Sequence, residues 1–247
     1  MCDATNYDEN WADVYEIYTT MQGKTGEADE TAAFLERFSC GGIALELGIG
    51  NGRVAVPLSE RGVKVEGIDN SGAMLKLLAD RTDLIKAWKG SIVDFNSVKR
   101  YNLIYSVYGT LTLLLKREDQ ISCLKCAAQA LDEAGALVIE VRVPILDGFL
   151  GGIKVTMTTT TVDSENTFVK AEAHDSLNQN LISNLFWFSG TSVRRLPERV
   201  RYVYHQELDS MAQCAGLELV ERWGDWAGGA FTDRSKRHIS VYRRMGL

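Results

Sequence analysis

One short stretch of the sequence carries a glutamate and then three glycines at every second position, and this spacing indicates a ligand site. The stretch I-A-L-E-L-G-I-G-N-G-R begins at Ile43, contains Glu46, and places glycines at Gly48, Gly50 and Gly52. Glycine can adopt a positive φ, and it lets a ligand approach the backbone without meeting a Cβ atom. A helix-compatible segment follows, and the unpaired N–H groups of a helix start would point at the same place.

Two more acidic residues follow stretches that are typical of strands. Asp69 ends K-V-E-G-I-D, and Asp94 lies in G-S-I-V-D-F. At the carboxyl ends of parallel strands, where ligands bind, Asp69 is placed to accept both hydroxyls of a ribose. Asp94 is placed to accept from the exocyclic amine of an adenine, and Ile92 and Phe95 can pack against the ring. These residues predict an adenosine-containing ligand.

The elements that must position these residues alternate between β and α. Apolar stretches predict strands, and amphipathic stretches between them predict helices. The predicted strands are 43–47, 64–68, 84–88, 102–107 and 136–143, and the helices between them are 53–61, 71–79 and 118–131. Two more strands, 217–223 and 238–243, follow a helix at 207–215. The pattern predicts an α/β fold with a Rossmann-like, doubly wound, seven-stranded sheet. The last two strands lack a connecting helix, so we expect the last strand to be antiparallel and at the edge.

Two segments do not follow this alternation. Residues 150–205 contain alternating runs at 154–162, 167–173, 181–188 and 200–205, which predict an inserted antiparallel β meander. Residues 1–40 predict a helical lid whose aromatic residues are spaced by three and four, which can serve core packing as well as a binding site. We expect one domain, 1–247, in which residues 43–143 and 206–247 form the ligand-binding core.

The composition limits the function classes. The net charge is −6 and the sequence pI is about 5.2, which argues against a nucleic acid partner. No apolar run reaches the roughly 18 residues that a membrane span needs, and the acidic start is not a secretory signal. The five cysteines indicate reduced thiols and a cytoplasmic location. The C-x-x-C pair Cys123 and Cys126 lies in a predicted helix without further ligands, so we expect structural thiols and no metal.

The glycine spacing distinguishes two ligand classes. The dinucleotide fingerprint is G-x-G-x-x-G, whereas here the third glycine comes one position early and Glu46 precedes the first by two residues. A carboxylate at this place would repel a pyrophosphate, but it would suit the amine and sulfonium of S-adenosylmethionine. No Y-x-x-x-K pair occurs on a predicted helix. A nicotinamide-dependent oxidoreductase is therefore the alternative interpretation, and a non-catalytic S-adenosylmethionine-binding protein is another.

Several motifs together resemble class I S-adenosylmethionine-dependent methyltransferases. E-L-G-I-G-N-G-R, G-I-D-N-S-G-A-M-L, G-S-I-V-D-F and N-L-I-Y-S-V-Y-G-T-L look like the successive cofactor motifs of that family and occur in its order. The resemblance covers residues 43–143 strongly and 200–245 more weakly. The C-terminal part is similar to methyltransferases that act on small molecules, including amino sugars, other amines and peptide N-termini. D-P-P-Y, typical of DNA base methylation, is replaced by S-V-Y-G after the fourth strand.

The resemblance also implies roles for individual residues. We expect the cofactor to be bound by Tyr7, Glu46, Gly48, Gly50, Gly52, Arg53, Asp69, Asn70, Met74, Ser91, Ile92, Asp94, Phe95, Ser106 and Val107. Ser91 stands where many relatives have an acidic residue. We expect the substrate to be bound by Trp11, Tyr15, Tyr108, Arg142 and Trp187. A hydroxyl acceptor would need a base, for which Tyr108, His174 and His205 are candidates, although structural or surface roles are the simpler interpretation of the histidines.

The predicted reaction is methyl transfer to an amine by in-line displacement. The sequence shows no obvious catalytic dyad, which fits an enzyme that works mainly by aligning its substrates and favours N-methylation over O-methylation. The expected partner is a small-molecule or short peptide acceptor, with no nucleic acid and no membrane. The chain itself is expected to be a monomer or a homodimer.

Overall fold

The computed structural model describes Tyr7 and residues 9–21, 25–144, 156–162 and 165–246. Two helices come first, α1 (Glu9–Met21) and α2 (Thr25–Ser39). The predictions for residues 1–6 of the lid and for residues 150–155 of the insertion lie outside the described residues. Within those residues, no helix combines the length and the apolar character that crossing a membrane requires.

The core follows the predicted alternation, with some ends shifted. Its elements are β1 (Ile43–Leu47), α3 (Ala55–Glu60), β2 (Lys64–Asp69), α4 (Gly72–Arg81), β3 (Lys86–Lys89), β4 (Tyr101–Ser106), a 3-10 helix (Thr110–Leu113), α5 (Arg117–Ala130) and β5 (Leu131–Arg142). Ser71 caps α4, because its side chain accepts a hydrogen bond from the Met74 N–H. The helix after the glycine turn starts at Ala55 rather than at the expected Arg53.

Seven strands form one sheet in the order β10-β11-β5-β4-β1-β2-β3, where β10 is Leu217–Trp223 and β11 is Arg237–Arg244. The last strand is antiparallel, as predicted, because β11 runs opposite to both β5 and β10. Its expected place at the edge is wrong. β11 lies between β5 and β10, and β10 forms the edge. The burial pattern gives the reason, since β11 is buried over His238–Tyr242 whereas β10 exposes Leu219 and Val220.

Helices cover the sheet on both faces. The α2 face, which also carries α3, buries Phe34, Leu35, Leu58, Leu103 and Val138. The α5 face also carries α6 (His205–Cys214) and buries a second apolar cluster, which includes Leu124, Leu137, Leu208 and Met211. The carboxyl ends of β1, β2, β4 and β5 meet at one edge of the sheet. The glycine turn, Asp69 and Arg142 therefore come to the same edge.

A separate four-stranded antiparallel sheet forms the predicted meander, in the order β6 (Thr156–Val162), β7 (Asn166–Asp175), β8 (Asn180–Ser189) and β9 (Ser192–Arg201). The expected fourth strand at 200–205 is wrong. A tight turn at Gly190, with φ of 57°, starts β9 early, and His205 begins α6 instead. The basic, largely exposed run V-R-R-L-P-E-R gave little apolar alternation by which to place β9. Helix α1 packs on the inner face of the meander through Trp11 and Val14.

Candidate functional site

The glycine turn is shaped by its neighbours as well as by its own backbone. Gly48, Gly50 and Gly52 all have positive φ, at 76°, 55° and 77°. A Cβ atom on Gly48 would lie 2.4 Å from Cγ2 of Thr110 in the 3-10 helix. A Cβ atom on Gly52 would lie 2.4 Å from Cδ1 of Leu78 in α4. Only glycine fits both the conformation and the space at these positions.

Asp69 ties the glycine turn to the start of α4. The N–H of Gly50 donates to one carboxylate oxygen at 2.8 Å, and the N–H of Ser71 donates to the other at 2.8 Å. Burial raises the pKa of Asp69, and these backbone hydrogen bonds oppose the increase. Each carboxylate oxygen keeps a further lone pair for a ligand hydroxyl. Asn70 is exposed beside it, whereas Met74 is buried, with its Cε 3.3 Å from where a Cβ on Gly50 would be.

Glu46 is a buried carboxyl group at the base of the turn. The hydroxyl of Tyr105 donates to it at 3.0 Å. Burial raises the pKa of Glu46 to about 8, against the lowering effects of the Tyr105 hydrogen bond and the Arg53 charge. Near neutral pH the group is therefore largely protonated. A cation bound next to it would favour the ionised form.

The guanidinium of Arg53 stacks on an aromatic ring and lacks partners for part of its donors. Its Cζ lies 3.3 Å from the ring centroid of Tyr108 and 5.9 Å from that of Tyr15. Within the described residues, Nε and Nη1 are buried and have no hydrogen-bond partner. Buried unpaired donors are costly, so this arrangement fits an anion that binds there. A carboxylate can accept two parallel hydrogen bonds from such a group.

Tyr7 and Tyr15 connect the glycine turn to the meander. Their ring centroids are 5.7 Å apart. Ser71 Oγ donates to the carbonyl oxygen of Tyr7 at 2.7 Å, and the Tyr7 hydroxyl donates to Glu198 of β9 at 2.8 Å. Burial raises the pKa of both tyrosines, and the Arg53 charge opposes this for Tyr15. Both residues therefore line the space between the turn and the meander.

The segment after β4 forms the next wall of this space. Ser106 and Val107 are buried, and among the described residues Ser106 Oγ has no hydrogen-bond partner. Tyr108 has a positive φ of 54°, and its N–H donates to buried Glu140 at 2.6 Å. Arg237 donates to the other oxygen of Glu140 at 2.9 Å. Burial raises the pKa of Tyr108 to about 12, so its hydroxyl is a poor base near neutral pH.

The structure does not bring all predicted residues to this place. Ser91 and Asp94 are exposed, and Ile92 and Phe95 pack on the α5 face. Phe95 lines a groove with Cys126 and Arg244, at the opposite end of the strands. The geometry therefore gives no support to its predicted contact with an adenine, because this groove lies away from the glycine turn. The predicted role of Asp94 stays a prediction.

The three histidines lie in different elements, His174 in β7, His205 in α6 and His238 in β11. His174 is buried in β7 and shares a hydrogen bond of 2.9 Å with the Tyr202 hydroxyl. His205 is the first residue of α6, not part of the meander, and its ring packs 5.2 Å from that of Phe231. Burial lowers the pKa of neighbouring His238 to about 3. The roles of His174 and His205 as candidate bases stay predictions.

Two predicted substrate residues fill the core between α1 and the meander. Trp11 is 4% exposed and donates to the carbonyl of Pro197 at 3.1 Å. Trp187 stacks on Phe168, with centroids 6.1 Å apart. Arg142, in contrast, is exposed at the end of β5, and its charge lowers the pKa of Tyr7. Tyr15, Tyr108 and Arg142 thus lie around one space, whereas Trp11 and Trp187 pack in the apolar cluster between α1 and the meander.

Comparison with known proteins identifies relatives over the whole chain. A family model described as "Methyltransferase domain" matches residues 44–135. The CcbJ methyltransferase from Streptomyces caelestis is 33% identical, with a TM-score of 0.92, and the match covers 99% of this chain and 100% of that one. The cypemycin N-terminal methyltransferase from a Streptomyces species is 25% identical over 99% of this chain and 100% of its own.

A more distant structure shares the fold alone. It is an S-adenosylmethionine-dependent methyltransferase from Clostridium acetobutylicum, 13% identical with a TM-score of 0.82. The match covers 96% of this chain and 100% of that one. Sequences that differ this much keep the same arrangement of sheet, helices and inserted strands.

Proposed function

Since this chain belongs to the class I S-adenosylmethionine-dependent methyltransferases, we propose that it methylates the nitrogen of an amine on a small molecule or a peptide. The enzyme uses S-adenosylmethionine as its methyl donor. The acceptor and the residue roles that follow are part of the proposal. The name of the cypemycin relative, an N-terminal methyltransferase, supports an amine acceptor.

The pocket has a group for three polar parts of the cofactor. Arg53 offers buried, unpartnered donors for the carboxylate of the methionine part. Glu46 offers a carboxyl group for its ammonium, and Asp69 offers two oxygens for the ribose hydroxyls. A cationic donor also explains why a carboxyl group is tolerated beside the glycine turn. These contacts would fix the cofactor between the turn and Tyr15.

When bound, the cofactor would supply a methyl group from a positively charged sulfur. The acceptor nitrogen would form the new bond to the methyl carbon, and the electron pair of the broken carbon–sulfur bond would stay on sulfur. The protein contributes by orienting the acceptor toward the methyl group. Alignment of two reactants can lower a barrier by roughly 7–11 kcal/mol. Tyr7, Tyr15 and Tyr108 form the walls that would hold the acceptor in place.

The observation that carries the choice of nitrogen is that the described tyrosines around the pocket are poor bases near neutral pH. Burial raises the pKa of Tyr108 to about 12 and also raises the pKa values of Tyr7 and Tyr15. His174 shares a hydrogen bond with Tyr202, the ring of His205 packs on Phe231, and His238 shares a hydrogen bond with Ser240. A hydroxyl acceptor needs a base to remove its proton as it attacks, whereas an ammonium loses a proton to water far more readily and then attacks through its lone pair.

Two matched probes test this function. The enzyme is incubated with S-adenosylmethionine labelled in its methyl group and with the tripeptide Ala-Gly-Gly or its hydroxyl analogue, lactoyl-Gly-Gly. Glucosamine and glucose form a second pair for a sugar acceptor. We expect label on nitrogen in an amine probe and none in the hydroxyl analogues. Label on oxygen, with none on nitrogen, would overturn the proposal.

A further inference from the structure

Three polar side chains lie side by side on the inner face of the meander. The strand register pairs Glu172 of β7 with Ser183 of β8, and Ser183 with Glu198 of β9. Directly opposed residues in antiparallel strands point to the same face, with Cβ atoms about 4.5–5.5 Å apart. Phe168, Leu185 and Leu196 lie further along this face and pack against α1. The polar row is therefore part of the surface that faces α1 and Tyr7.

The two carboxylates in this row differ in their partners. Glu172 forms an ion pair with Lys170 at 2.6 Å and accepts from Ser183 Oγ at 3.1 Å. Glu198 accepts from the neutral hydroxyl of Tyr7 at 2.8 Å, and within the described residues it forms no ion pair. Glu172 thus has a cationic partner, whereas the described hydrogen-bond partner of half-buried Glu198 is the neutral Tyr7 hydroxyl. A partly buried charge of this kind favours a cationic partner.

Glu198 also lies close to the residues that surround the cofactor pocket. Its charge raises the pKa values of both Tyr7 and Tyr15, so it acts on both rings. Tyr7 is held at its carbonyl by Ser71, which follows Asp69, and Tyr15 lies beside Arg53. Glu198 therefore faces the cofactor pocket across the two tyrosines. Arg142 acts on Tyr7 from the end of β5.

We propose that Glu198 binds the amine of the acceptor, which is a primary or secondary amine that is protonated in solution. This proposal rests on the proposed function, because it names the group that recognises the acceptor. The ammonium donates to the carboxylate of Glu198, and Tyr7 holds that carboxylate in position. One proton then leaves the nitrogen for water, and its lone pair attacks the methyl carbon. The positive charge lost from sulfur passes to nitrogen, where Glu198 stabilises it.

The test compares Glu198→Gln with Glu172→Gln, which removes a carboxylate two strands away on the same face. Both enzymes are assayed with Ala-Gly-Gly and glucosamine, and binding of these probes to the enzyme loaded with S-adenosylhomocysteine is measured by calorimetry. We expect E198Q to raise the KM and the Kd of the amine by about tenfold to a hundredfold. We expect E172Q to change them less than about twofold. The affinity for S-adenosylhomocysteine stays unchanged in both.

Further variants and outcomes separate the proposals. Glu198→Asp keeps the charge, so it should recover part of the affinity, which a purely structural role would not produce. Tyr7→Phe should weaken amine binding less than E198Q does. If the wild-type enzyme methylates an amine and E198Q matches E172Q, Glu198 is not the amine site, although the N-methyltransferase function stands. If the wild-type enzyme methylates only hydroxyl probes, both proposals fail.

Discussion

The glycine turn and the inner face of the meander differ in how the chain builds them. The turn takes its key groups from Glu46 to Asp69, a short stretch in which backbone N–H groups fix the carboxylate of Asp69. The meander face brings together Glu172 and Glu198 from different strands, and Tyr7 bonds Glu198 from 191 residues away. A site made by local backbone can be predicted from spacing. A site formed by residues from paired strands can be recognised only once the strand pairing of the fold is known.

Both regions nevertheless contain a charged group whose capacity for hydrogen bonds or ion pairs is only partly used. Arg53 has buried donors without partners, and Glu198 has no ion pair, in each case within the described residues. The turn thus offers a cation to a carboxylate, and the meander offers an anion to an amine. On our proposals, this complementarity provides one site for the methyl donor and one for the acceptor, with Tyr7 and Tyr15 between them. The following variants should affect one site without the other.

The largest effect is expected for Asp69→Ala. The change removes the acceptor of the Gly50 and Ser71 N–H groups and the proposed ribose contact, so the affinity for S-adenosylhomocysteine should fall about 100-fold or more. Calorimetry measures the loss, and Asp80→Ala, at an exposed position of α4, is the control. Equal affinities of the two variants would show that the turn does not bind the ribose through Asp69.

Arg53→Met should weaken the binding of ligands that carry the amino acid carboxylate of the cofactor, and leave the binding of ligands without it unchanged. We expect about a tenfold to hundredfold loss of affinity for S-adenosylhomocysteine, because an Arg–carboxylate pair is lost. Methylthioadenosine lacks the amino acid part, so its affinity should stay within about twofold. Arg61→Met, which alters an exposed ion pair with Glu36, is the control. A parallel loss for both ligands would place the carboxylate elsewhere.

Glu140→Gln tests the wall between the two sites. The change weakens the hydrogen bond to the Tyr108 N–H and removes the charge that pairs with Arg237, so the free energy of unfolding should fall by about 1–3 kcal/mol. Denaturant unfolding measures this loss, and Glu36→Gln on the surface is the control. An unchanged free energy would mean that Glu140 does not hold the strained Tyr108 backbone.

The smallest signal is a proton released from Glu46 when the cofactor binds. Because burial raises the pKa of Glu46 to about 8, the group is largely protonated near neutral pH in the free enzyme. The bound ammonium lowers this pKa, so binding should release up to about one proton, and the affinity should rise with pH until about pH 8. Calorimetry in buffers of different ionisation enthalpy measures the release. Glu46→Gln should release none, and equal release by both proteins would exclude Glu46 as the source.

The sequence was sufficient for the parts that depend on local patterns. The order of strands and helices along the core, the antiparallel last strand and the glycine turn follow from periodicity and spacing. The place of β11 inside the sheet was missed, although its continuous buried run is the signal of an interior strand. The basic run of β9 hid both its position and the role of Glu198, since exposed arginines weaken the alternation.

Residues that depend on long-range contacts could not be assigned from spacing. Phe95 was expected at the adenine but packs on the α5 face, because the direction of a loop is not encoded in its apolar residues. His205 was expected in the meander but starts α6. Glu140 is not among the residues predicted from the sequence, because its bond to the Tyr108 backbone depends on the pairing of β4 with β5.

The central claim is that the acceptor nitrogen binds between the glycine turn and the meander, and a crystal structure tests it most directly. Crystals would be grown with S-adenosylhomocysteine and with Ala-Gly-Gly or glucosamine, using the amine that the enzyme methylates. The predicted result places the nitrogen within hydrogen-bond distance of Glu198 and beside Tyr7, and facing the sulfur of the product across the pocket. An amine bound instead near His205 and Phe231, on the α5 face, would contradict the account.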